Sequence, residues 1–405
     1  MKHYLLVGIF KFTIMKNIIT IIITSVCILF QYSIIYSQPN LNKIDFERGI
    51  REIKNVPLSE IATNIQYIPM ETNIKCLLGQ SPRIQITDHY IFISTDMEHL
   101  YRFSRNGKFL NEIGRVGRGP GEYVKIINYI IDEKNENIYV NDSPFGKKII
   151  CYNFEGKYLQ KFKLDMNSMV IEFFYNDIMF HNMYYTHREI GKQTTEIGIY
   201  NKRGDIIKLF SSTSDPLKKY GISIIPAIGY TFQNVFHYKA PFCDTLYSIS
   251  NLKIKSPEYF FDMGKAGRPI DADELKNRKI QNTVAIMDIC ETPRFLLFTC
   301  TGEKNRQNIL YNKTDRSVSN VTWRNTAGFE EDISGGLPFW PYLYSDSGNE
   351  KLLVDFVLPQ DLIAHMQTEY SKEKSSSSIQ TKTLKEMCDK MSESDNLILR
   401  IVTLK

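Results

Sequence analysis

The run Gly114-Arg-Val-Gly-Arg-Gly-Pro-Gly121, closed by Glu122 and Tyr123, is the stretch of this chain that most invites a chemical reading. Glycine-rich loops cradle phosphates, but a dinucleotide fingerprint needs glycine where Glu122 stands, and a phosphate-binding loop needs lysine where Pro120 stands. No helical pattern follows, so no helix N-terminus is available to hold an anion. Two readings remain. Either the glycines supply positive φ for a tight crossing, with Arg115 and Arg118 pairing to neighbouring blades of a sheet structure, or the two arginines capture an anion or carboxylate, with Glu122 and Tyr123 beside them. A second candidate is Gly335-Gly-Leu-Pro-Phe-Trp340-Pro-Tyr342. Trp340 and Tyr342 read either as wedge packing or as an aromatic platform for a sugar ring or a peptide.

Catalytic constellations are thin. The six histidines beyond residue 37 (His89, His99, His181, His187, His237 and His365) show no H-E-x-x-H or comparable ligand spacing. His181 and His187 are the candidates for a metal gathered from separate parts of the chain, against the reading of both as solvated loop residues. Glu122, Asp142 and Asp271 are available as acid or base, but one sequence cannot pair them. No metal or cofactor is assigned.

The elements that must position these groups announce themselves through a repeat. Phe103-Ser-Arg-Asn-Gly107, Tyr152-Asn-Phe-Glu-Gly156 and Tyr200-Asn-Lys-Arg-Gly204 each place an aromatic four residues before a glycine, and the glycines lie 49 and 48 residues apart. Each copy is followed by a short apolar strand pattern. A period in the forties built from strands is the mark of a β-propeller, in which each repeat is one four-stranded blade. The expected fold is all-β, a six-bladed propeller. Its last blade is one strand short at the C-terminus. The spare strand Asn64 to Glu71 supplies the outer position and closes the ring, removing two unpaired edges. Between Pro359 and Asn396 the pattern turns helical, and a helical insertion over 359–395 is expected, split by Ser375 to Ser378.

Residues 1–37 are apolar, with Lys2, Lys11 and Lys16 as their charges, and read as a secretory signal peptide. Met15 is an alternative start. Cleavage after Ser37 leaves 38–405 as one propeller domain with no transmembrane span. A lipoprotein signal acylated at Cys27 is the competing reading, weakened by Val26 before it. Removing the three lysines takes the net charge from +5 to +2, too small for a nucleic-acid partner. Six cysteines remain without any C-x-x-C, and buried free thiols are expected, since a core of this size needs no disulfides.

Ile113 to Tyr123, the opening Leu58-Ser-Glu-Ile with Tyr67-Ile-Pro-Met-Glu71, Asp244-Thr-Leu-Tyr247 and the ending Asn396 to Lys405 resemble the exported six-bladed β-propeller family of Gram-negative envelope proteins, related to NHL-repeat propellers. The resemblance spans nearly the whole mature chain. It implies the fold and an exported location, in the periplasm or cell envelope, more strongly than any activity. The expected function is ligand binding at the channel mouth, where first-strand termini converge, with a small molecule, glycan or peptide as ligand. An envelope protein partner in uptake or sensing is a further expectation. Two alternatives stand beside it: a metal-assisted lyase or hydrolase, as some NHL-type propellers are, and a protein-interaction scaffold docking through the helices.

Overall fold

The computed structural model describes residues 41–79, 81–142, 148–163, 170–174, 178–182, 195–211, 227–240, 243–250, 254–264, 284–301, 306–347, 350–368 and 378–405. The signal segment, His187 and Asp271 lie outside the described residues. The N-terminal part forms β1 (Asn42–Asp45), helix α1 (Phe46–Arg51), β2 (Ile53–Lys54) and β3 (Ala62–Pro69). Sheet one then comprises β4 (Arg83–Ile86), β5 (Tyr90–Thr95), β6 (His99–Ser104) and β7 (Phe109–Glu112). Sheet two has β8 (Ile126–Asp132), β9 (Asn137–Asp142), β10 (Lys148–Asn153) and β11 (Tyr158–Lys163). Sheet three has β12 (Val170–Phe174), β13 (Ile178–Asn182), β14 (Thr195–Asn201) and β15 (Ile206–Ser211). Sheet four has β16 (Ile228–Phe232), β17 (Val235–Lys239), β18 (Thr245–Ser250) and β19 (Ile254–Asp262). Sheet five has β20 (Ala285–Glu291), β21 (Phe295–Thr301), β22 (Arg306–Asn312) and β23 (Val318–Trp323), with the short β24 (Thr326–Ala327) paired to β23. Sheet six has β25 (Leu343–Ser347), β26 (Glu350–Val357) and β27 (Ile398–Leu404), and β3 from the N-terminal part lies antiparallel on β27 as its outer strand.

This is a propeller arrangement, and its core lies between sheets rather than inside any one of them. Phe92 and Leu100 pack against Tyr129, Ile138 and Tyr152. Cys151 and Tyr139 meet Tyr200, and Ile197 and Ile199 meet Phe236 and Tyr238. Leu246 and Phe261 meet Phe298, and Leu297 and Val321 meet Leu353 and Val402. Leu352 and Leu399 then meet Ile91 and Phe103, so sheet six packs back on sheet one. Each fully buried aromatic of this kind stabilises by roughly 2–3 kcal/mol.

The repeated turn has a physical cause. In each copy a register shift falls immediately before the aromatic, at Arg102/Phe103, Cys151/Tyr152 and Ile199/Tyr200. The shift turns the ring into the inter-sheet core, where Phe103, Tyr152 and Tyr200 are at most 1% exposed. The glycine N–H donates back to the residue after the aromatic, as in Gly156 N to Asn153 O at 2.9 Å. The glycines take φ of 83°, 81° and 92°. A Cβ on Gly156 would lie 2.5 Å from Glu112 O, and one on Gly204 would lie 2.8 Å from Phe162, each at the end of the preceding sheet's outer strand. Glycine is therefore required both by the left-handed backbone and by the close approach of the preceding sheet.

The N-terminal part does more than supply β3. β1 adds parallel to the outer strand β19, and β2 adds parallel to β23, so sheets four and five carry an extra strand at their outer edge. Lys43 pairs with Asp262 at 2.7 Å along the first of these additions. The helical insertion contains α2 (Pro359–Met366) and α3 (Ile379–Cys388) among the described residues. Pro359 stands at the first turn of α2, where its missing N–H costs nothing, and the Ser378 hydroxyl caps α3 by accepting from Thr381 N at 3.1 Å. Leu362, Met366, Leu384 and Cys388 bury the facing stripes of the two helices over Val357 and Ile398.

Candidate functional site

The glycine-rich loop between sheets one and two is closed on itself. Arg115 Nε donates to Glu122 Oε1 at 2.7 Å, and the other carboxylate oxygen accepts from Gly119 N at 2.7 Å. The Gly119 N–H and the Arg115 guanidinium hold the Glu122 carboxyl below the usual carboxylate range. Arg115 thus pairs within its own loop and not with a neighbouring blade. The Arg118 side chain is exposed. Tyr123 is fully buried, its hydroxyl near Ile113 O at 3.4 Å, and Tyr152 donates to Gly121 O at 2.9 Å. A Cβ on Gly114 would meet the Tyr152 ring at 2.7 Å. Asp142 anchors the far end, accepting from Val124 N at 2.6 Å and Lys125 N at 3.1 Å while pairing with Lys148. Arg115, Glu122 and the loop's glycines are engaged in its own closure, whereas Arg118 stays exposed.

Trp340 is 7% exposed, lies over Phe329 with centroids 5.3 Å apart, and donates from Nε1 to Thr299 Oγ1 at 3.2 Å. Its ring is a wedge between sheets five and six. Tyr342, 40% exposed, stands just before β25. The chain around Trp340 is held by two buried charges that the sequence did not single out. Glu331, 1% exposed, accepts from Tyr67 Oη at 3.0 Å, Ser334 N at 2.8 Å and Ser334 Oγ at 2.7 Å. Arg400, 2% exposed, forks onto Asp355 with Nε at 2.7 Å from Oδ1, and its remaining donors reach Leu337 O and Pro338 O. Asp355 also accepts from Trp340 N at 3.3 Å. Burial raises the Asp355 carboxyl, opposed by the Arg400 charge.

The two sequence candidates therefore sit at different junctions, one–two and five–six, and do not converge. Of the histidine candidates, His181 lies in β13. No group of three or more metal-ligating side chains occurs among the described residues. A buried histidine in a polar group is His237, 3% exposed, with Nε2 3.0 Å from Glu258 Oε2 and its ring stacked on Tyr230. Tyr230 donates to Glu291 at 2.7 Å, and Lys313 pairs with Glu291. Against burial, the His237 hydrogen bond holds Glu258 below its usual range. On the inner strand β20, a register shift between Ile286 and Asp288 turns Asp288 away from the buried Ile286 and Ile289. Burial pushes its carboxyl up to about 6, and Arg306 opposes this.

An open concavity occurs elsewhere, between sheet six, sheet one and the insertion. A groove of about 690 Å³ runs along Ile65 to Ile68 of the outer strand β3. It is walled by Arg105 and Asn106 from the sheet-one turn, by Ser334, and by Ile379, Thr383, Leu384 and Met387 of α3. Ile379 is 81% exposed at its rim. Arg105 Nη1 is buried without a hydrogen-bond partner, and burial lowers the pKa of that guanidinium. The lining mixes apolar side chains with amides, hydroxyls and strand backbone, a composition suited to organic ligands. Spacing could not reveal this groove because its walls come from four segments far apart in the chain.

The family described as Domain of unknown function (DUF4934) matches residues 41–403. Among solved structures, a Bacteroides fragilis protein whose name marks it as one thought to be exported is similar over 90% of this chain and 100% of its own, with TM-score 0.67 and 19% identity. A Bacteroides vulgatus member of the DUF4221 family is similar over 85% and 97%, with TM-score 0.50 and 10% identity. A virginiamycin B lyase of Staphylococcus aureus superposes at TM-score 0.44 and 10% identity over 84% and 99%, a likeness too slight to bear on chemistry. No match is found among curated proteins.

Proposed function

Starting from the premise that the chain belongs to the DUF4934 family of domains of unknown function, we propose that it is an exported binding propeller whose six sheets are its six blades. Export follows from the signal segment 1–37 and accords with the name of the Bacteroides fragilis neighbour. Among the described residues no helix is long and apolar enough to cross a membrane. The mature chain, 38–405, works in the periplasm or cell envelope, binding a small molecule, glycan or peptide in support of uptake or sensing.

The observation that carries this reading is the groove of about 690 Å³ along β3. We place the ligand there in preference to the Arg115, Arg118, Glu122, Tyr123, Trp340 and Tyr342 set, because Tyr123 and Trp340 are packed inside, Arg115 is engaged by Glu122, and the exposed Arg118 and Tyr342 lie at different junctions. The helices of the insertion form one wall, so the docking surface and the ligand site are one place. A thermal-shift panel of metals, glycans and peptides on the mature chain tests it. One organic class is expected to raise the midpoint in the native protein and not in Ile379→Glu. A stoichiometric metal retained through purification, with stabilisation by metals alone, would favour the lyase or hydrolase reading instead.

A further inference from the structure

We infer that the occupant of the groove is an extended polypeptide segment, which adds to the outer edge of β3 as a fifth strand of sheet six. The inference rests on the reading of the groove as the ligand site. Its basis is a device the chain already uses on the two preceding sheets. β1 lies on the outer edge of β19 over Asn42–Asp45, and β2 lies on that of β23 over Ile53–Lys54. The same segment then becomes β3, so the next outer edge in the series is β3's own. β3 is the outermost strand of its sheet, and it is the edge that the groove follows.

The dimensions agree. Ile65 to Ile68 span about 13 Å at roughly 3.3 Å per residue, the reach of four strand residues and the length of β1. An added strand satisfies backbone N–H and C=O groups along β3, which a sugar or a flat aromatic does not. Side chains on one face of that strand meet Ile379, Leu384 and Met387 of α3, so alternate apolar residues fit. Arg105 lines the groove but is already acted on from within the protein by Asp88, Glu350 and Glu133, so the occupant needs no acidic side chain to meet it.

The test selects random twelve-residue peptides displayed on phage against the mature chain, then measures the enriched peptide by fluorescence anisotropy. An extended peptide with alternate apolar residues is expected. Methylating its alternate backbone nitrogens on one edge should weaken binding at least tenfold, and methylating the other edge should not. Ile379→Glu and Thr383→Trp, both on the exposed side of α3, should each weaken it tenfold without lowering the thermal midpoint. Equal binding of both methylated forms, with both variants still defective, would overturn strand addition and leave the groove as a site for side-chain recognition. Undiminished binding by both variants would remove the groove reading itself. Enrichment of no peptide, with a glycan or small molecule shifting the midpoint, would overturn the peptide and keep the site.

Discussion

Replacing Arg400 by methionine should unfold this protein from the middle of sheet six. The guanidinium is 2% exposed, forks onto Asp355, and saturates Leu337 O and Pro338 O. Arg400→Met leaves a buried carboxylate without its counter-charge, which costs about 3–5 kcal/mol. The two carbonyls lose donors as well, so the upper half of that range is expected, close to a thousandfold in the folded-to-unfolded ratio at about 1.4 kcal/mol per tenfold. Burial already raises the Asp355 carboxyl against the opposing Arg400 charge, and removing that charge raises it further. The folded variant then holds a proton that the unfolded chain has released, so its deficit is smallest near pH 4 and grows as pH rises. Urea unfolding followed by tryptophan fluorescence and circular dichroism at pH 4.5 and 7.5 reads both effects. Asp355→Leu combined with Arg400→Met should recover most of the loss, because the unpaired charge is then gone. A loss under 1 kcal/mol, an equal loss at both pH values, or a double variant worse than the single would refute the reasoning.

Gly156→Ala should cost about 2–4 kcal/mol, combining the left-handed backbone with a Cβ 2.5 Å from Glu112 O, whereas Lys157→Ala beside it should change urea stability by under 0.5 kcal/mol. Asp288, pushed up to about 6 by burial, binds its proton more tightly folded than unfolded, so its contribution is present near pH 4 and is lost as pH rises through 6. Asp288→Asn should therefore flatten the stability profile between pH 4 and 7 by about 2 kcal/mol, with allowance for the part of the side chain open to water. A profile as steep as the native one would assign that slope to another group.

The aromatic-to-glycine spacing legible at Phe103, Tyr152 and Tyr200 pointed to the propeller arrangement, because one local hairpin, with its bulge and left-handed glycine, recurs in each of the first three sheets where it docks on its predecessor. The apolar stripes of 359–395 determined two helices by the same local logic. The pairing of a spare N-terminal strand with the last sheet was also within reach, since an unpaired edge demands a partner. The sequence could not decide which side of an aromatic faces water. Trp340 beside glycines and prolines reads equally as wedge or platform, and only the meeting of Thr299, Phe329 and Asp355 buries it. Nor could spacing reveal that Glu122 engages Arg115, or that Glu331 and Arg400 hold the Trp340 segment from positions up to 63 residues away. β1 and β2 are too short to carry a strand pattern of their own, and they exist because β19 and β23 offer edges. The groove is the extreme case: its walls lie near residues 66, 105, 334 and 383, and they become one surface only when the ring closes and brings sheet six against sheet one. Local backbone and burial preferences are written along the chain, whereas a concavity belongs to the space between segments.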